Sequence, residues 1–181
     1  MMNPDIPLPH LGGLTATEFL RDYWQKKPLL VRNAFPELAY RLLPEDMMEL
    51  AQEEGVEARV VLERGTTPWE LQLGPFTEKF FKKLPKSHWT LLVQAVDHYL
   101  PELADYLEHF SFVPNWRIDD IMVSFATEGG SVGPHYDQYD VFLLQGIGQR
   151  RWQLGQFCDE NTPRIEGTRL RIIKDLDVTF D

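Results

Sequence analysis

The chain has 181 residues, 43% hydrophobic and 25% charged, so it is predicted to form about one globular domain and a disordered chain is excluded. Its 18 basic residues stand against 28 acidic ones, and the net charge of −10 argues against direct nucleic-acid binding. The charge suits a basic protein partner, with solubility alone as the alternative role of the acidic residues. The single cysteine, Cys158, the absence of a signal-peptide pattern and the absence of a bilayer-length apolar run predict a cytoplasmic protein without a disulfide.

The first half of the chain predicts helices mixed with short strands. Residues 1–13 are rich in Pro and Gly and predict a flexible N-terminus. The spacing of Thr15 and Glu18 is that of a capping box and predicts a helix that ends before Pro28. A second helix is predicted from Pro44 to Gly55. Short strands are predicted at 29–31, 59–62 and 69–73, and further helices at 75–84 and 101–110. An apolar run at 91–96 is of uncertain type.

From residue 117 onward the pattern becomes predominantly β. A buried strand is predicted over 118–125, and a glycine-rich loop follows at 128–134. The segment 139–145 predicts an apolar strand that turns at 146–149 and returns as the second arm of a hairpin. That return arm and one further strand are predicted at 150–154 and 168–173. The overall pattern is α+β, with a helical or mixed first half and a β second half.

His135 and Asp137 are the candidate metal ligands, two residues apart where the glycine loop leads into the predicted strand. Residues i and i+2 of a strand face the same side, so an imidazole and a carboxylate can converge on one ion. With a distant histidine they would form the facial triad that leaves half of an iron ion open. A bare His-x-Asp match is weak evidence, and a hydrogen-bonded loop pair is the alternative.

The other titratable candidates carry weaker signals. Arg150 and Arg151 lie on the predicted return arm, and a guanidinium there would match a carboxylate of a chelating cosubstrate. Strand alternation allows only one of the two to face the metal side, and the sequence does not decide which. An exposed charge is the alternative for both.

Four histidines are interpreted as surface or packing residues, and none of them lies after His135 in the sequence: His10, His88, His98 and His109.

Several long motifs resemble one known family, the bacterial JmjC-type ribosomal oxygenases. The motifs span nearly the whole chain: 23–30, 89–96, 116–125, 129–142 and 145–152. The resemblance implies a helical or mixed N-terminal part packed on a double-stranded β-helix, the jelly roll of cupin and JmjC proteins. It further implies an Fe(II)- and 2-oxoglutarate-dependent enzyme that hydroxylates an arginine of a basic large-subunit ribosomal protein.

The resemblance also assigns residue roles. His135 and Asp137 match two iron ligands, and Arg150 matches the residue that binds the distal carboxylate of 2-oxoglutarate. Gln138 and Tyr139 lie beside this motif and are our own candidates for contacting the substrate. Neither direct nucleic-acid binding nor membrane association is expected, and the intact enzyme is expected to be a homodimer.

The family's third ligand is a histidine on a later strand, after a Pro-Gly turn, and this sequence contains no such histidine. The family's helical dimerisation segment and winged-helix domain are also not in it. We therefore expect an oxygenase domain over 14–181 with an incomplete jelly roll, the N-terminal portion of a longer enzyme, and we expect these 181 residues alone to be inactive.

Two other functions fit the same residues. One is a non-catalytic jelly-roll module that binds a basic protein partner. The other is different metal chemistry on the same fold, such as an isomerase or a dioxygenase that needs no cosubstrate. Turnover of 2-oxoglutarate by the intact enzyme would reject the first, and an Arg150 that faces the metal would disfavour the second.

Overall fold

The structure, a computed structural model, describes residues 3–40, 42–64 and 68–181. Although the length predicts about one domain, the chain divides into two units. The first unit comprises Met1–Leu42, Val96–Ile121 and Asp140–Ile147. The second comprises Leu43–Ala95, Met122–Tyr139 and Gly148–Asp181, and it contains the sheet and the His135–Asp137 pair.

The helices in the described ranges are short. The α-helices are α1 (Ala16–Asp22), α2 (Pro44–Leu50), α3 (Glu78–Phe81) and α4 (Pro101–Ala104). Short 3-10 helices lie at Pro9–Leu11, Pro36–Tyr40, Val96–His98, Asp105–Phe110 and Asn115–Arg117. Each predicted helical segment contains a helix, but most of the helices are shorter than predicted.

The ends of α1 and α2 have local causes. The predicted capping box of α1 is confirmed, since Thr15 Oγ1 accepts from the Glu18 N–H at 3.1 Å and Glu18 Oε2 accepts from the Thr15 N–H at 2.9 Å. Helix α2 begins at Pro44 as predicted but ends before Gly55. The Ala51 carbonyl there accepts from the Phe76 N–H at 3.0 Å, which takes it out of the helical hydrogen-bond pattern.

One antiparallel four-stranded sheet forms the centre of the second unit. Its strands are β1 (Ala58–Arg64), β2 (Pro68–Leu73), β3 (Trp89–Val93) and β4 (Val123–Ala126), in the order β2-β1-β3-β4. The strands predicted at 59–62 and 69–73 are confirmed, and half of the ambiguous run at 91–96, residues 91–93, belongs to β3. All five residues of β3 are buried because this strand lies between two neighbours and is covered on both faces.

Each unit has its own buried residues. In the second unit the central strands contribute Val60, Leu91 and Val93, and the later part of the chain contributes Ile172 and Ile173. In the first unit a buried hydrophobic cluster joins Leu8 and Leu11, from the segment 1–13 predicted to be flexible, to Ala16 and Phe19 of α1. Within the described ranges, no helix is long and apolar enough to cross a membrane.

The β predictions for the second half of the chain are mostly wrong as regular strands. The strand predicted over 118–125 is reduced to β4, which is half-buried at the edge of the sheet. The segments 29–31, 139–145, 150–154 and 168–173 are not regular strands; the later ones make only isolated bridges, Leu154 with Phe180 and Arg164 with Ile173. Alternating apolar residues indicate a segment that can form a strand, but a strand also needs a hydrogen-bonded neighbour along its length.

Candidate metal centre

The loop before His135 is held by close packing around Gly133. This glycine is buried and has a φ of +80°, in the left-handed region that disfavours other residues. A Cβ atom there would lie 2.5 Å from Ile172 Cδ1 and 3.3 Å from the Trp69 ring. A larger residue would have to displace the end of Ile172 and adopt a strained backbone conformation, so the site favours glycine.

His135 has one of its ring nitrogens tied to this loop. Its Nδ1 lies 2.8 Å from the Gly133 carbonyl oxygen, and a carbonyl can only accept, so Nδ1 carries the hydrogen. In the neutral ring this leaves the lone pair on Nε2, the usual state of a metal-binding histidine whose other nitrogen donates to a backbone carbonyl.

Asp137 is brought to the free nitrogen of His135. Asp137 Oδ2 lies 3.7 Å from His135 Nε2, and the two side chains are 40% and 38% exposed. Two donors bound to one transition-metal ion at ~2.0–2.2 Å each can be at most ~4.4 Å apart. The pair therefore fits a shared ion, although residues 133–140 form a loop and not the predicted strand.

A third ligand is not supplied by the described ranges, where no group of three His, Cys, Asp or Glu side chains has the arrangement of a metal site. Among the other histidines, His98 lies 3.7 Å from Asp97, and His10 and His109 pack edge to face. Each of these three histidines therefore has local contacts, as predicted for packing or surface residues.

Arg150 and Arg151 have different environments. Arg150 is half-buried and donates from Nη1 to Ser124 Oγ of β4 at 2.9 Å, and its guanidinium lies 5.8 Å from the centre of the Trp152 ring. Burial lowers the pKa of Arg150 from its ordinary value, which still leaves the group charged at neutral pH. Arg151 is exposed and forms an ion pair with Asp181.

The two candidate substrate residues are at the surface. Gln138 is exposed and Tyr139 is 72% exposed, directly after Asp137 in the chain. Sequence reasoning missed three further polar residues: Ser124, which contacts Arg150, and the pair of Tyr136 and Arg164, which contact each other. Tyr136 donates from its hydroxyl to the Asp159 carbonyl at 2.6 Å and accepts from Arg164 Nη2 at 2.6 Å. The available signal was the place of Tyr136 between the two predicted ligands.

Comparison with known proteins gives consistent matches. Residues 105–181 match the JmjC domain family. The chain is 49% identical over 163 residues to a protein named probable ribosomal oxygenase from Haemophilus influenzae, covering 90% of this chain and 40% of that protein. It is 41% identical over 139 residues to the ribosomal protein uL16 3-hydroxylase of Escherichia coli, covering 77% of this chain and 36% of that protein.

A solved structure is also similar. It is YcfD, a ribosomal oxygenase from Escherichia coli in complex with cobalt and 2-oxoglutarate, with a TM-score of 0.78 and 36% identity, covering 93% of this chain and 42% of that one. The chain thus spans about two fifths of the length of the curated relatives it matches. The predicted resemblance is confirmed: over most of its own length this chain is similar to bacterial proteins named ribosomal oxygenase, and residues 105–181 match the JmjC domain family.

Proposed function

We propose that the protein is an Fe(II)- and 2-oxoglutarate-dependent oxygenase that hydroxylates an arginine side chain of a large-subunit ribosomal protein. The observation that carries the proposal is the pair His135 and Asp137, whose Nε2 and Oδ2 atoms lie 3.7 Å apart. Relatives named ribosomal oxygenase, and one crystallised with cobalt and 2-oxoglutarate, support the reaction class.

The two ligand side chains have separate tasks in this proposal. His135 presents Nε2 to the iron because its Nδ1–H is bound to the Gly133 carbonyl, which holds the ring in one orientation and one tautomer. Asp137 contributes a negatively charged oxygen from the adjacent side chain. The iron with 2-oxoglutarate and oxygen would supply the oxidising chemistry, while the protein positions the groups.

Arg150 is proposed to bind the distal carboxylate of 2-oxoglutarate. A guanidinium donates in a planar fork that matches a carboxylate, and the contact with Ser124 orients that fork from one side. Partial burial strengthens the attraction between the two charges by reducing the screening from water. Arg151 is not proposed for this role because it is exposed and bound to Asp181.

The substrate is proposed to be the basic ribosomal protein uL16, which the name of one relative specifies. The net charge of −10 favours the approach of a basic protein. Gln138 and Tyr139 are proposed to contact it because they are exposed and directly follow Asp137. A ribosomal substrate would place this activity in the cytoplasm, where ribosomes are found.

The direct test is a turnover assay of the full-length protein with Fe(II), ascorbate, 2-oxoglutarate and a uL16-derived peptide. We expect a peptide mass increase of one oxygen atom, located on an arginine by fragmentation, and an equal yield of succinate. A peptide with that arginine replaced by lysine is the matched control and should stay unmodified. Peptide binding without succinate formation would instead support the non-catalytic binding module and overturn the proposal.

A further inference from the structure

The residues on both sides of His135 are held by hydrogen bonds, one through its backbone and the other through its side chain. On one side the Pro134 carbonyl accepts from the Ile173 N–H at 2.7 Å. On the other side the Tyr136 hydroxyl donates to the Asp159 carbonyl at 2.6 Å. Residues 133–140 are not in a regular strand, so these contacts take the place of a sheet in fixing the loop.

Arg164 connects the two anchors. It forms an isolated antiparallel bridge with Ile173, the residue that binds the Pro134 carbonyl. Its side chain donates from Nη2 to the Tyr136 hydroxyl at 2.6 Å, and the guanidinium carbon lies 5.6 Å from the centre of the tyrosine ring. Pro134 and Tyr136, the two neighbours of His135 in the chain, are thus linked to each other through Ile173 and Arg164.

The Arg164 side chain contacts Tyr136 instead of extending into solvent. Within the described ranges its Nε is buried and has no hydrogen-bond partner, which is an unfavourable state for an N–H group. The contacts of the rest of the guanidinium with Tyr136 must offset that penalty. An arginine whose only role was solubility would keep its nitrogens in water.

We propose that Tyr136 and Arg164 are positioning residues for the metal ligands His135 and Asp137. This inference rests on the proposed metal site. A loop that is already held in its binding conformation loses less conformational freedom when the ion binds, so its affinity is higher. Tyr136 acts on both ligands because it is joined to each by one peptide bond, and Arg164 acts through Tyr136.

The test is a titration of the full-length protein with Co²⁺ alone, followed by visible absorption. Tyr136→Phe removes the hydroxyl that joins Arg164 to the Asp159 carbonyl, and Arg164→Met removes the guanidinium. We expect each variant to bind Co²⁺ about tenfold more weakly, which is the lower end of the affinity loss seen when an outer-sphere contact is removed. The d–d absorption bands of bound Co²⁺ should also shift. The double variant should be no weaker than the weaker single variant, because the two residues act as one unit.

Further variants distinguish a failure of the positioning role from a failure of the proposed metal site. Arg169→Met is the matched control at an exposed position and should bind as the parent protein does. If Asp137→Asn binds Co²⁺ unchanged, the proposed metal site is wrong. If Asp137→Asn abolishes binding while Tyr136→Phe and Arg164→Met match the parent in affinity and bands, only the positioning role is overturned. A lower unfolding temperature with unchanged affinity per folded molecule would also overturn it.

Discussion

Arg150 donates from its guanidinium Nη1 to the Ser124 hydroxyl at 2.9 Å, which fixes this arginine against strand β4. The neighbouring Arg151 forms its ion pair with Asp181 at the surface. The two arginines are adjacent in the chain but differ in burial and partners, so their substitution should have different effects.

Arg150→Ala in the full-length protein should raise the KM for 2-oxoglutarate by about tenfold or more, the loss expected for a hydrogen bond between charged groups. The KM for the peptide should change much less, because the proposed partner of Arg150 is the cosubstrate. Steady-state kinetics with each substrate varied in turn measure both values. Arg151→Ala is the control and should change neither. Equal increases in both KM values for Arg150→Ala would contradict the assigned role.

Gly133→Ala should destabilise the protein by about 1–3 kcal/mol, the usual range for overpacking a filled site. The new methyl group would lie 2.5 Å from Ile172 Cδ1 on a backbone with a φ of +80°. Urea unfolding measures the free energy. Gly146→Ala is the matched control, since nothing lies within 4 Å of its Cβ position, and it should change stability by less than ~0.5 kcal/mol. Equal stability of the two variants would show that the loop adapts to a side chain.

Leu91→Ala should reduce the free energy of unfolding by about 2–5 kcal/mol because it leaves a cavity at the centre of the sheet. Leu91 is 0% exposed on β3, whereas Leu73 at the end of β2 is 55% exposed. Leu73→Ala should therefore have a much smaller effect in the same urea titration. A small effect at Leu91 would argue against the placement of β3 between β1 and β4.

The stability of the protein should fall below about pH 6.5 through His10. Burial, and then the charge of His109, lower the pKa of His10, and the buried Nε2 has no hydrogen-bond partner within the described ranges. As the pH falls through the unfolded-state value of about 6.5, the unfolded chain takes up a proton first. The contribution to stability is therefore complete above that pH and decreases below it.

This pH effect is measured by urea unfolding at several pH values. His10→Gln should reduce the loss of stability on acidification, since glutamine does not titrate. His98→Gln, at a side chain that is 68% exposed, should follow the parent protein. Parallel pH profiles for the parent and His10→Gln would contradict the assignment.

The predictable parts of the fold are those whose cause lies within a few residues. The capping box of Thr15 and Glu18 joins neighbours in the chain, and the apolar patterns of β1 and β2 mark their own strands. The segment 139–145 has a similar apolar pattern, but it is not part of a strand among the residues that the structure describes, and Val141 and Leu143 are exposed. Periodicity indicates which face of a strand can be buried, but the partner strand is set elsewhere in the chain.

The candidate site divides in the same way. The His135–Asp137 spacing is local and is visible in the sequence. The difference between Arg150 and Arg151 depends on contacts with Ser124 and Asp181, each about 30 residues away, so sequence alternation does not decide it. The Tyr136–Arg164 contact joins residues 28 positions apart, and no local sequence pattern predicts it.

His135 and Asp137 are proposed to bind the same iron ion, and anaerobic equilibrium dialysis of Fe(II) against the full-length protein measures this binding. We predict one bound ion per chain, with affinity reduced more than ~100-fold by His135→Ala and by Asp137→Asn, since losing a ligand exceeds the effect of losing an outer-sphere contact. The exposed controls His98→Ala and Asp175→Asn should bind as the parent protein does. Unchanged Fe(II) binding in either His135→Ala or Asp137→Asn would contradict the account.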